Sequence, residues 1–444
     1  MGPSDLFDPF IASVSELQSL LSAGELNSST IVDSYLKRIA ADDDYLRSVV
    51  ETTPREILNK EIKRLDDERA AGKVRSPLHG IPFLVKDNMA TDPSLGMGTT
   101  AGSLALVGSR PHGNTPVVQK ELNYYRSEGI PCAWSAVSGQ SQSAYVRGGF
   151  RDDDTFGGHS NPGGSSSGSA IAVSAGFAPF ALGTETIGSL MLPADRAALY
   201  SLKPTVGTVS QDGIFPISSL CDAAGPMTKT TKDLADILDI ILDSDKARIP
   251  EGGFSTMLTK TWQGIKIGFL EPEKWMYSET VVKYEESATD QMLAEIGDVY
   301  QRLAELAETK SVSLISWGEA TDNGNRVIDK CFDRDYSAAL EKYLSSLDNS
   351  KIHSLSDLIE FNETHANLEL PPRYDNQNGL IRALNSNITD EEYDEILQHA
   401  RHSCRDLGID KTLKENNVDI LLGPAGPLYY IAGAAGQSFS QSPR

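Results

Sequence analysis

From Gly157 to Gly183 the chain is written mostly in glycine, serine and alanine: GGHSNPGGSSSGSAIAVSAGFAPFALG. Side chains this small let backbones approach one another closely, so the stretch suits a tightly packed, buried helix followed by a strand. Around it, short apolar runs alternate with longer polar ones. Phe83-Leu84-Val85, Gly264–Leu270 and Val418–Leu422 read as strands, and Glu285–Leu306 and Asp390–Arg405 as helices. Three more helices open the chain. Ser13 or Ser15 can cap the first, which ends near Gly24, and Ser28 can cap the second. Its Ile31, Val32, Tyr35, Leu36 and Ile39 share one face; the third, highly charged, follows Pro54 to about Gly72. Strands alternating with helices predict an α/β layered fold.

With 444 residues the chain could form one large domain or several, but no repeat or low-complexity linker divides it, and one domain is expected. The formal charge of −22 argues against nucleic-acid partners, which require basic patches to neutralise phosphate. No run is apolar and long enough to span a bilayer, and the first residues lack the pattern of a secretory signal. The scattered Cys132, Cys221, Cys331 and Cys404 contain no CxxC and read as reduced thiols of a cytoplasmic protein. No metal site is expected.

Three segments carry potential chemistry. Lys86 closes an apolar strand; burial there would favour the neutral amine that base catalysis needs, whereas an ordinary strand-end lysine would reach solvent. Gly163–Ser169 (GGSSSGS) feeds a helix and gathers backbone N–H groups and hydroxyls, or is merely a flexible loop. Gly183–Ser189 (GTETIGS) can form a tight turn that aims consecutive N–H groups beside the Ser189 hydroxyl, the geometry of an oxyanion hole. Singly, each is also compatible with an ordinary loop.

Together, LHGIPFLVKDN, NPGGSSSGSAIAVSAGFAPFALGTETIGSLMLPA and LKPTVGTVSQDGIFPISSLCDAAGPMTKT resemble the amidase signature family from about Ser13 to Gly436. The resemblance implies a large mixed β-sheet covered by helices on both faces. It divides one domain, 1–444, into N-terminal helices (1–72), a signature core (73–245) and substrate-side helices with a C-terminal strand (246–444). It implies hydrolysis of a small-molecule amide without metal or cofactor, and a homodimer is compatible with it. Lys86 matches the family's base, Ser165 its proton relay on a cis peptide, and Ser189 its nucleophile. The N–H groups of Thr186, Ile187, Gly188 and Ser189 match its oxyanion donors.

Several departures from the family matter. Met191 and Leu192 stand where many relatives carry a carboxylate-binding arginine, which implies a neutral or apolar acyl group and argues against glutamine-dependent transamidation. An apolar strand expected between Glu121 and Leu122 is missing, and the family pattern runs on beyond the tail QSFSQSPR. A chain so shortened is expected to be poorly soluble and weakly active, and the rival reading is an inactive amidase-like scaffold. Gly164–Gly168 also spells the G-x-S-x-G of esterases, which needs a strand immediately before it. Ser34-Tyr35-Leu36-Lys37, an S-x-x-K, falls inside the second helix and reads as surface, and no phosphate-binding GxxxxGK[ST] occurs.

Overall fold

A computed structural model describes residues 6–113, 131–155, 157–322 and 325–442. The opening helices are α1 (Val14–Ser22), α2 (Ser28–Leu46) and α3 (Arg55–Ala70). Ser13 caps α1 by accepting from Glu16 N. The cap of α2 is Asn27, not Ser28: the Asn27 side chain accepts from Thr30 N, and Ser28 is already helical. Ile31, Val32 and Tyr35 are buried as the periodicity required.

The centre follows as β1 (Leu84–Val85), α4 (Ser167–Ser174), β2 (Phe180–Glu185), α5 (Met191–Arg196), β3 (Tyr200–Lys203), β4 (Ala223–Thr228) and α6 (Thr231–Ile241). Next come β5 (Lys266–Phe269), α7 (Glu286–Leu306), β6 (Glu308–Ser311), α8 (Asp329–Leu344), α9 (Asp390–Arg401), β7 (Ile420–Leu422), α10 (Leu428–Ala435) and β8 (Phe439–Gln441). Shorter helices and two-stranded ribbons fill the intervals.

Five strands form a mixed sheet in the order β1-β2-β4-β3-β8, while β7-β5-β6 make a separate parallel sheet. In the mixed sheet β1 and β2 run parallel, with Val85 opposite Leu182, and the remaining pairs are antiparallel. Every residue of β2 and β4 is buried, which explains why neither alternates polar with apolar. The glycine-alanine texture has a direct cause. A side chain on Gly225 would come 2.2 Å from Leu202 O, and one on Gly168 would come 2.5 Å from Ser48 O. Val418 lies just outside the strand expected there, which begins at Ile420.

The missing strand expected between Glu121 and Leu122 lies outside the described residues. The tail forms structure: Phe439–Gln441 pair with Ser201–Lys203 as an outer strand of the mixed sheet. All four cysteines are free and buried. Among the described residues, no helix is long and apolar enough to cross a membrane, and no cluster of three or more His, Cys, Asp or Glu could hold a metal ion.

Candidate active site

The site forms where the C-terminal ends of β1 and β2 lie side by side. Because Val85 is opposite Leu182, the chain beyond β1 brings Lys86 next to Thr184. Lys86 is only 2% exposed, so its amino group does not reach solvent. Its Nζ donates to Ser165 Oγ at 2.8 Å, to Thr184 Oγ1 at 2.7 Å and to Thr184 O at 3.3 Å. Asn88, two residues on, donates to the same Thr184 hydroxyl at 3.3 Å.

Ser165 enters the site through the cis Gly164–Ser165 peptide, just before α4. Helix α4 is fastened to β2 by its serines. Ser166 Oγ donates to Thr184 O at 3.0 Å and accepts from Thr184 N at 3.2 Å; Ser169 Oγ donates to Leu182 O at 3.0 Å. A side chain at Gly164 would stand 3.1 Å from Cys132 Cβ, a tight contact that the neighbouring segment would have to relieve by a few tenths of an ångström. The G-x-S-x-G reading fails on two counts. Among the described residues no strand leads directly into Gly164, and the Ser166 hydroxyl is buried and committed to the backbone of β2.

Ser189 ends the turn that leaves β2 and is 1% exposed. Its carbonyl accepts from Ser166 N at 3.0 Å, which joins this turn to the Ser165 segment. Among the described residues, the backbone N–H groups of Thr186, Ile187 and Ser189 have no hydrogen-bond acceptor. Buried N–H groups are almost always paired, so three in a single turn with free donors are an arrangement able to accept an oxygen or anion. Gly188 sits at φ +87°, with the Tyr429 ring of α10 directly against its missing side chain.

Two carboxylates hold this turn. Glu185 Oε2 accepts from Leu190 N at 2.7 Å and Met191 N at 3.0 Å, and Asp222 Oδ1 accepts from Thr186 Oγ1 at 2.6 Å. Burial raises the Glu185 pKa, opposed by the field of the buried Lys203 and by amides of the turn. Neither acid was singled out from sequence. A signal did exist: an acid ending a strand as apolar as Phe180–Glu185 must be buried, and a buried acid needs donors.

The expected acyl-facing pair divides. Met191 is 3% exposed and packs with Ala170, Val173, Leu190, Ala194 and Met227, making it a core residue. Leu192 is half-buried, and both residues reach the wall of a cavity of about 530 Å³ shared with Tyr277, Leu428 and Tyr429.

Comparison with known proteins identifies the family. The family model described as Amidase matches residues 30–432. An amidase-family protein of Schizosaccharomyces pombe is 31% identical over 96% of this chain and 78% of its own. The solved peptide amidase of Stenotrophomonas maltophilia superimposes with a TM-score of 0.81 at 32% identity, covering 97% of this chain and 89% of that one. An amidase family protein of Bacillus anthracis superimposes with a TM-score of 0.80 at 25% identity, covering 99% and 84%. The chain belongs to the amidase family and is, by that membership, an amide hydrolase.

Proposed function

We propose that the chain hydrolyses a small-molecule carboxamide through an acyl-enzyme on Ser189. In this reading, Lys86 as the neutral amine takes the proton of Ser165 while Ser165 takes that of Ser189, and Ser189 Oγ attacks the amide carbon. The N–H groups of Thr186, Ile187, Gly188 and Ser189 receive the charge that develops on the carbonyl oxygen. Collapse of the tetrahedral intermediate breaks the C–N bond, and the proton returns through the relay to the departing amine. Water, deprotonated by the same relay, then releases the acid.

The observation that carries this reading is the 2.8 Å hydrogen bond from Lys86 Nζ to Ser165 Oγ inside a buried site. The bond from Ser166 N to Ser189 O supports it by holding the relay segment and the nucleophile turn together. Leu192, three residues beyond Ser189, supports a neutral or apolar acyl group, because a carboxylate beside its apolar side chain would be costly to desolvate. Four free, buried cysteines suit a cytoplasmic enzyme.

Partitioning tests the acyl-enzyme. Two amides of one acid with different amines, hydrolysed in the presence of hydroxylamine, should give the same ratio of hydroxamate to free acid. A ratio that changes with the leaving amine would exclude a common acyl intermediate.

A further inference from the structure

The register of the mixed sheet creates a contact that the mechanism above does not use. Glu185 pairs with Ala223, so the residues just outside the two strands, Thr186 and Asp222, face one another. Both are buried, and the Thr186 hydroxyl donates to Asp222 Oδ1 at 2.6 Å. The other carboxylate oxygen accepts from Ile217 N at 2.8 Å and Ser218 N at 2.9 Å. We infer that Asp222 is a positioning residue for the oxyanion turn, acting through the Thr186 hydroxyl. The inference rests on the oxyanion reading proposed above and assigns the group that keeps those donors aimed.

Three observations carry it. First, the turn offers nothing else to hold on that side: Ile187 is apolar, Gly188 has no side chain, and Ser189 is the nucleophile of the proposed reaction. Glu185 holds the turn from its other side, through the amides of Gly188, Leu190 and Met191. Second, Asp222 is itself fixed, by two backbone amides and by a segment with its own anchors. Ser218 Oγ reaches Asp335 at 3.4 Å, and Tyr393 OH donates to the same Asp335 oxygen at 2.9 Å.

Third, that segment returns to the base. Phe215 N donates to Asn88 O at 2.5 Å, Asn88 Nδ2 donates to Phe215 O at 3.4 Å, and Asn88 shares the Thr184 hydroxyl with Lys86. Two sets of hydrogen bonds, joined by the backbone from Phe215 to Ile217, therefore place the oxyanion donors relative to the proposed base. Catalytic donors must be held to a fraction of an ångström, and fixing the Thr186 side chain fixes the peptide that bears its N–H.

The probe is an alkyl fluorophosphonate, whose phosphoryl oxygen occupies the oxyanion position as the serine attacks. Asp222→Asn removes the charge but also weakens the cap on Ile217 and Ser218, so Thr186→Val is the decisive variant: it keeps shape and leaves Asp222 with its backbone donors. The second-order labelling rate of Thr186→Val should fall tenfold or more with little change in Tm, and Thr186→Ser should recover most of that loss. Labelling of Thr186→Val within twofold of the parent overturns the inference, as does a Thr186→Ser protein as slow as Thr186→Val. Failure of the parent protein to label at all would instead refute the nucleophile reading.

Discussion

Lys86 Nζ and Ser165 Oγ stand 2.8 Å apart although 79 positions separate them in the chain. Parallel pairing of β1 with β2 and the serine fastening of α4 onto β2 bring them together. If this contact is the proton path, Lys86→Ala and Ser189→Ala should each lower kcat/KM by about 10³-fold or more, since base and nucleophile act as one unit. Ser165→Ala should be impaired while melting as a folded protein. Because the base must be neutral, kcat/KM of the parent should climb as the medium becomes more alkaline. Near-normal turnover in Lys86→Ala would rule out the assignment.

A second expectation concerns substrate. Hexanamide should be turned over with a higher kcat/KM than malonamate or glutamine, because the Leu192 side chain offers no partner for a carboxylate. Preference for malonamate in steady-state assays would show that a cation reaches the acyl group.

Gly188 and Gly207 share almost the same backbone angle, φ +87° and +86°, but not the same surroundings. Alanine at Gly188 would meet Tyr429 Cε2 at 2.8 Å, whereas nothing lies within 4 Å of a side chain at Gly207. Both substitutions carry the left-handed penalty of roughly 1–2 kcal/mol. Only Gly188→Ala should also displace the turn, with a loss in kcat of about 10²-fold, the scale of a lost oxyanion donor. Equal kcat values for the two variants would detach the turn from catalysis.

The strongest signals in the sequence concerned spacing and texture. The 24 positions from Ser165 to Ser189 span one helix and one strand whose small residues are dictated by backbone approach, and that pattern is local enough to read. The cap of α2 slipped by one residue because asparagine and serine are near-equal caps. The place of Met191 just after Ser189 suggests an acyl-facing residue, but its direction depends on which side of α5 meets α4, a tertiary fact. Asp222 and Thr186 are 36 positions apart, and only strand register reveals that they touch.

Lys229 supplies a test of the N-terminal docking. Its Nζ donates to Pro9 O at 2.7 Å, and burial lowers its pKa from 10.5 to about 8 despite Asp8, Asp233 and Glu16 nearby. Between these two values the unfolded chain holds a proton that the folded chain has released. Stability therefore rises with pH across that window, by up to about 3 kcal/mol from this group. Measured against Lys229→Met, the unfolding free energy of the parent should improve from pH 8 to 10.5. A constant difference between the two proteins would show that Lys229 is not desolvated in solution.

Covalent capture addresses the central claim most directly. The protein is treated with an alkyl fluorophosphonate, digested, and the modified residue located by mass spectrometry. The account predicts one stoichiometric adduct on Ser189, absent from Ser189→Ala and formed far more slowly in Lys86→Ala. An adduct on Ser166, or a folded protein that takes up no label, would contradict it.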